Sequence, residues 1–159
     1  WPVAPDDLRD PVGVRYFPAY AGRDAMRTPM PWRRGPGGGF TDPGTRPWLP
    51  LGDTAGCNVD DQRSDPGSVL HWARDLLALR RRTPDLQTGA YRSVAAPDGV
   101  WAWQRGSRFL VVLNLGDHEA VLDSVEGDIR IGTDRGRDGQ SLSGPVSLRE
   151  WEGLVIETR

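Results

Sequence analysis

The 159-residue chain has no lysine, one cysteine and two histidines, and no apolar run approaches the length needed to span a membrane. The single Cys57 cannot form an internal disulfide, so we expect a small, partly buried side chain and no dependence on an oxidising compartment. The N-terminal residues lack the basic region and apolar core of a signal peptide, which predicts a cytoplasmic protein. The net charge of −2 excludes a general attraction to nucleic acid or anionic membranes.

Glycine and proline, by contrast, are frequent, with 20 and 14 residues. The prolines are concentrated before residue 65, which predicts a long irregular segment there. Disordered tails contain few aromatic residues. Here aromatic residues are interleaved with the prolines, so the segment is expected to lie over a scaffold: Trp1, Tyr16, Phe17, Tyr20, Trp32, Phe40 and Trp48.

Residues 65–82 form the one stretch with helical periodicity. Asp65 is expected to cap the helix and Pro66 to occupy its first position. Positive charge at Arg80 to Arg82 complements the helix dipole at the end, and Pro84 prevents continuation. The apolar positions recur at spacings of three and four and predict one broad buried face, with Trp72 at its edge: Val69, Leu70, Ala73, Leu76 and Leu77.

After this helix the hydrophobic period changes to two. Short runs rich in β-branched and aromatic residues alternate with turn residues, which predicts an antiparallel β-sandwich of about seven strands. The fold class is therefore α+β and mainly β. Trp101 and Trp103 fall on one face by alternation, and we expect them to pack in the core rather than to form a sugar-stacking platform. The predicted strands are 91–96, 100–105, 109–114, 120–122, 129–131, 146–148 and 154–158.

The segment GRDAMRTPMPW, residues 22–32, holds the candidate binding residue. Its two X-Pro pairs stiffen the backbone, so Arg27 is presented by a restrained loop. A fixed guanidinium beside aromatic rings is suited to binding neighbouring hydroxyl groups or a carboxylate. From spacing alone, an ordinary solvated arginine is the more frequent case.

This segment and the motifs that follow it resemble the closing part of an α-glucosidase or oligo-1,6-glucosidase of the α-amylase family. The resemblance covers essentially the whole chain. Its further motifs keep the family's order and spacing: Asp10 to Gly13, Gly39-Phe40, Arg46-Pro47-Trp48, Asn58-Val59, Gln62 and Asp65 to Leu70. The sequence departs from the family at Arg33 and Arg34, where relatives usually carry an acidic residue, and this reversal bears on substrate preference.

The resemblance implies a division into two domains. Residues 1–84 would be the end of a (β/α)₈ catalytic barrel, comprising its eighth βα loop and last helix, and residues 85–159 a C-terminal β-sandwich. Arg27 would bind the glucose at the non-reducing end of an α-glucoside. Malto- and isomalto-oligosaccharides are the implied substrates when the chain is joined to the barrel.

Two other patterns suggest sites less strongly. The glycines from Gly35 to Gly39 lack the Lys-Ser/Thr of a phosphate loop. The polar residues Asn58, Asp60, Asp61 and Asp65 do not match the ligand pattern of a calcium loop and are read as a polar approach to the helix cap. We therefore expect no metal site and no cofactor.

No catalytic residue can be assigned in this chain. Retaining glycosidases need two carboxylates about 5 to 5.5 Å apart, and in the family these lie upstream of the matched region. The chain is thus expected to begin after the last barrel strand and to be inactive alone. Without the barrel, the apolar face of the helix would be exposed, and we therefore expect the chain to self-associate. The alternatives are a carbohydrate-binding or stabilising β-sandwich module without catalytic activity, and the end of a trehalose synthase-like enzyme.

Overall fold

The computed structural model describes residues 3–159, so Trp1 and its proposed contact with a scaffold lie outside the described residues. The chain divides into two compact units, Trp1–Leu70 and His71–Arg159. They are called unit 1 and unit 2 below, and each is described by itself.

Unit 1 contains short helices where an irregular segment was expected. Helix α1 spans Pro11–Tyr16, because Asp10 accepts a hydrogen bond from the Val12 amide and proline occupies the first helical position. Helix α2 spans Val59–Ser64, where Asn58 accepts from the Asp61 amide. Both helices have six residues and are too short for hydrophobic periodicity to reveal. Single 3₁₀ turns are formed by Pro5–Asp7, Asp24–Met26 and Pro36–Gly39.

The apolar core of unit 1 is small. Val3, Leu8 and Leu49 are buried together, and Phe17 packs against them. Most aromatic side chains of the segment are exposed: Tyr16, Tyr20, Trp32, Phe40 and Trp48. Unit 1 therefore leaves outside the rings that were expected to rest on a scaffold.

The long helix α3 spans Val69–Arg82 and begins later than predicted. Asp65 does not cap it, because its carboxylate accepts from the Gly67 amide in a local turn. The Leu70 amide instead donates to Oε1 of Gln62. The predicted C-terminal end at Arg82 is confirmed, and the proline two residues later opens a short helix α4, Pro84–Thr88.

The predicted apolar face of α3 is only partly correct. Leu79, outside the predicted set, is its buried residue. Trp72 packs toward the sheet and its Nε1 donates to the Gly132 carbonyl at 3.0 Å. Val69 and Leu77 are exposed. The helix thus has an apolar band directed at the sheet and a neighbouring apolar band that is exposed.

Six strands follow, so the mainly β, α+β class is confirmed, with one strand fewer than expected. Two predicted runs merge because β4 continues from residue 120 through residue 132 with two register shifts, the bulges that let a long strand bend. The strands are β1 Tyr91–Val94, β2 Val100–Arg105, β3 Phe109–Asn114, β4 Ala120–Gly132, β5 Ser141–Leu148 and β6 Gly153–Thr158.

All strands pair antiparallel in one hydrogen-bonded sheet of order β1-β2-β3-β6-β4-β5. The sheet curls over its own core, since Asn114 at the end of β3 donates through Nδ2 to the carbonyl of Arg149, just after β5. This arrangement fits the predicted sandwich. The core between its halves contains Ala102, Val112, Leu122, Val125, Ile129, Leu142, Val146, Leu148, Leu154 and Ile156.

The prediction that Trp101 and Trp103 fill this core is wrong. The buried residue of β2 is Ala102, at 2% exposure, so the tryptophans on either side of it point to the opposite face. That outer face is the one on which α3 packs, held also by an ion pair of 2.8 Å between Asp75 and Arg135.

Candidate functional site

The loop that carries Arg27 is anchored at its start by a buried aspartate. Asp24 is 1% exposed, and its Oδ2 accepts from the amides of Arg9, at 2.5 Å, and Asp10, at 2.8 Å. The Asp24 carbonyl accepts from the Arg27 amide at 2.9 Å. One residue therefore joins the Arg27 turn to the chain preceding α1.

A second buried carboxylate braces the same junction from the other side. Asp10 accepts from the amides of Arg23 and Val12, each at 3.0 Å. These two hydrogen bonds stabilise the ionised form, and the charges of Arg23 and Arg27 add to them, so the pKa of Asp10 is lowered from its usual 3.8. Residues 9–12 and 23–24 are thus cross-linked by reciprocal side-chain to backbone bonds.

Two glycines permit this close approach. A Cβ on Gly13 would lie 2.5 Å from the Ala21 carbonyl oxygen, a contact that backbone cannot relieve. Gly22 has a φ of +73° and its Cα faces Asp10 and Gly13. A larger residue at either position would push apart the strands of chain that Asp10 and Asp24 join.

The far end of the loop is held by α2 and by the glycine run. The amides of Val59 and Asp60 donate to the carbonyls of Pro31 and Trp32, each at 3.0 Å. The Gly38 carbonyl in turn accepts from the Trp32 amide at 2.8 Å. The glycine run therefore holds the backbone of Trp32 in place.

Between these anchors, Arg27 is exposed and ends the 3₁₀ turn Asp24–Met26. No ion pair of Arg27 is found among residues 3–159. Met26 and Met30 flank it on the surface and are also exposed. The result is a guanidinium with five unengaged donors on a fixed backbone, which suits a ligand rich in hydroxyl groups or bearing a carboxylate.

Arg34, one of the two departures from the family pattern, is engaged elsewhere. Its Nε and Nη2 approach Oδ2 of Asp61 at 2.9 and 2.8 Å, and this pair raises the pKa of Arg34 and lowers that of Asp61. Asn58 Nδ2 also donates to Asp61 at 2.6 Å. Of the polar residues considered for a calcium loop, Asn58 therefore caps α2 and Asp61 is the partner of Arg34.

The buried acids of the chain are committed to structure. Asp10 and Asp24 accept backbone amides, and Glu152 in unit 2 accepts from Arg137 and from the Arg149 amide. Within residues 3–159 no three His, Cys, Asp or Glu side chains are grouped so as to hold a metal ion. Cys57 is exposed, contrary to expectation, and accepts a weak hydrogen bond from Gln62.

The sequence predicted Arg27 as a binding residue and gave no role to Asp24, whose carbonyl accepts from the Arg27 amide. No local signal marked Asp24, because its carboxylate accepts from amides that lie 14 and 15 residues earlier in the chain.

Unit 2 is a β domain with α3 packed on its sheet, and unit 1 carries Arg27 on a loop that is anchored at both ends. Residues 3–89, more than half of the chain, match the model described as the alpha amylase catalytic domain. The chain therefore belongs to the alpha-amylase family, which confirms the resemblance seen in the sequence.

Individual relatives agree with this membership. A probable alpha-glucosidase of Rhizobium meliloti (strain 1021) is 35% identical over 120 residues, which are 73% of this chain and 21% of the relative. A probable oligo-1,6-glucosidase 2 of Bacillus subtilis (strain 168) is 40% identical over 83 residues, 52% of this chain and 14% of the relative. The crystal structure of the alpha-glucosyl transfer enzyme XgtA superposes with a TM-score of 0.80 at 31% identity, covering 99% of this chain and 30% of that one.

The chain thus spans about a fifth of the length of the first of these relatives. Across residues 3–159, no helix combines the length and the apolar character that crossing a bilayer requires.

Proposed function

We propose that this chain is the C-terminal part of an α-glucosidase-type glycoside hydrolase acting on α-linked glucosides, in which Arg27 binds substrate. The observation that carries the proposal is the exposed Arg27 guanidinium on a loop anchored at both ends, by Asp24 and by Pro31 and Trp32. Preorganised donors lose little entropy when they bind. The names of the relatives support α-glucosides as the ligand class.

We also propose the domain division given by the resemblance, with residues 1–84 in the catalytic domain and 85–159 in a C-terminal β domain. The family match ends at residue 89, which supports a boundary there. Under this division α3 is the last helix of the barrel. Trp72 and Asp75 of this helix contact unit 2 through the Gly132 carbonyl and Arg135.

The test of Arg27 uses a chimera in which this chain replaces the corresponding segment of the Rhizobium meliloti relative. Arg27→Ala is expected to lower kcat/KM for a nitrophenyl α-glucoside by about 10²-fold or more, the loss typical of removing a charged hydrogen bond to substrate. Arg27→Lys keeps the charge and loses the fork, so it is expected to recover only part of the activity.

Arg15→Ala is the matched control, because Arg15 is an exposed arginine of the same unit that lies 5.6 Å from the ring of Tyr16. It is expected to leave kcat/KM unchanged within about twofold. Equal losses for the two alanine variants would reject the role of Arg27. The chain without a barrel is expected to release no nitrophenol, and release above the buffer background would show catalytic groups within it.

Self-association follows from the same proposal. Val69 and the exposed rings of unit 1, and Leu77 of unit 2, are apolar groups that a barrel would cover. The isolated chain is expected to bind a hydrophobic dye and to sediment as more than a monomer, and the chimera to do neither.

We further propose a cytoplasmic location, which the independence of the fold from disulfides supports.

A further inference from the structure

Three aromatic side chains on the outer face of the sheet form what we call the aromatic platform: Tyr91, Trp101 and Trp103. The two tryptophans share this face because they flank the buried Ala102 on β2. Tyr91 of β1 is paired with Arg105, two residues beyond Trp103, and paired residues of antiparallel strands lie on one face. Tyr91 and Trp101 are 51% and 50% exposed.

The rings of the platform are held in place. Nε1 of Trp101 donates to the Tyr91 hydroxyl at 3.4 Å, and that hydroxyl lies 3.1 Å from the Ser93 hydroxyl. The ring centroids of Trp101 and Trp103 are 4.7 Å apart with the planes tilted by 41°. Rings restrained in this way lose little rotamer entropy when a ligand stacks on them. Exposed aromatic surface that is already ordered is a feature of binding sites more than of ordinary surface.

A groove of about 460 Å³ adjoins the platform and shares Trp103 as part of its wall. Trp72 and Leu76 of α3 form the facing wall, and Arg80 and Arg105 also line the groove. Nη2 of Arg105 donates to the Gln87 carbonyl at 3.2 Å, whereas its buried Nε has no hydrogen-bond partner among the described residues. This volume is within the range of small-molecule sites, about 300 to 1,000 Å³. The groove therefore combines aromatic faces with hydrogen-bond donors.

This combination selects among ligand classes. A purely apolar occupant would leave the Arg80 guanidinium and Nε of Arg105 buried without acceptors, which is costly. A sugar ring has one apolar C–H face that can lie on the negative face of an aromatic ring, and hydroxyl oxygens that accept from arginine. We propose that the aromatic platform and its groove bind an oligosaccharide of α-linked glucose units, at a site that does not use Arg27.

The choice of α-linked glucose rests on the proposed function, whereas the choice of a sugar rests on the groove. Trp151 offers a matched comparison, since it is also exposed and its Nε1 is also bonded, to Asp117 at 3.0 Å. It stands in a turn and lines neither the platform nor the groove. Truncating it removes a comparable ring without touching the proposed site.

The experiment titrates the whole chain with maltotriose and follows the indole N–H signals by NMR. Trp101→Ala is expected to weaken binding about tenfold. Tyr91→Phe, which removes only the hydroxyl that holds Trp101, is expected to weaken it less. Trp151→Ala is expected to leave the platform affinity within about twofold. Retained dispersion of the amide spectrum in each variant excludes unfolding as the cause.

Several outcomes would overturn the proposal. One is equal affinity of Trp101→Ala and the unsubstituted chain, and another is the absence of any indole shift at saturating sugar. If Arg27→Ala removes maltotriose binding and Trp101→Ala does not, the proposed function stands and the platform proposal fails. If Trp101→Ala removes self-association while sugar binding persists, the platform is a protein interface.

Discussion

The two units of this chain are stabilised by different kinds of buried group. Among the described residues, unit 2 encloses a cluster of ten buried apolar side chains between the halves of one curled sheet, whereas unit 1 buries three together. Unit 1 is set instead by buried polar groups, chiefly Asp10, Asp24 and Asn58, that bond to nearby backbone. A segment built in this way has a defined backbone and little hydrophobic energy of its own.

The exposed apolar side chains of unit 1 are consistent with this difference. Met26, Trp48 and Val69 are exposed by more than 70% each, whereas the larger apolar residues of unit 2 are mostly inside. This exposed apolar surface is what the proposal of a catalytic domain completed by a barrel predicts for unit 1. Substitutions in each unit test this difference.

The largest effect is expected in the core of unit 2. Ile129 is fully buried on β4, and Ile129→Ala should lower the free energy of unfolding of the sheet by about 2 to 5 kcal/mol through lost burial and a cavity. Urea unfolding followed by far-UV circular dichroism measures it. Val121→Ala on the same strand is the control, because that residue is 45% exposed and the substitution should cost under about 0.5 kcal/mol. Similar losses for the two variants would contradict the assignment of the core.

A smaller but more local effect is expected from Asp24. Asp24→Ala leaves the amides of Arg9 and Asp10 without their acceptor, and a buried unpaired donor costs about 1 to 3 kcal/mol. Hydrogen exchange should therefore accelerate at residues 9–27 while the sheet stays protected. Asp42→Ala, at an exposed position of the same unit, should change neither. Faster exchange throughout unit 2 would show that the two units do not unfold independently.

The smallest effect is expected from acid. The pKa of Asp10 is lowered in the folded chain, chiefly by the Arg23 amide, so its contribution to stability is present above the usual value of 3.8 and is lost as the pH falls through the folded pKa. Asp10→Asn should weaken unit 1 at neutral pH and flatten the decline of its stability below about pH 4. Amide exchange at residues 9–24 as a function of pH measures both.

Asp128 in unit 2 sharpens this prediction. Its pKa is also lowered, chiefly by the Ser141 hydroxyl, but its side chain is 42% exposed. Because solvent screens an exposed pair, Asp128→Asn should change the acid response of the sheet less than Asp10→Asn changes that of unit 1. The reverse order would mean that burial does not govern these two carboxylates.

Local patterns in the sequence were sufficient for much of unit 2. The bounds of β2 and β3 were predicted to the residue, because alternation and turn residues are properties of short windows. The merging of two runs into β4 was not predictable, since it depends on pairing with β5 and β6 from distant parts of the chain. Alternation likewise predicted that Trp101 and Trp103 share one face of the sheet. It could not predict which face, because that depends on the packing of α3.

The candidate site shows the same limit. The proline pairs around Arg27 indicated a restrained loop. The groups that anchor this loop were not predictable, because Asp24 accepts from the distant Arg9 amide and the amide of Val59 donates to the Pro31 carbonyl. The end of α3 at Arg82 followed from charge and proline, but its start did not, because Gln62 rather than Asp65 supplies the acceptor for the Leu70 amide.

The most direct test of the account compares hydrogen exchange in the isolated chain and in the chimera that restores a barrel. We expect the amides of residues 9–32 to gain at least about tenfold protection in the chimera, equivalent to 1.4 kcal/mol, because the barrel covers the apolar surface of unit 1. The strands β2, β3 and β6 should be equally protected in both proteins. Equal protection of residues 9–32 with and without the barrel would contradict the claim that unit 1 is completed by the rest of a catalytic domain.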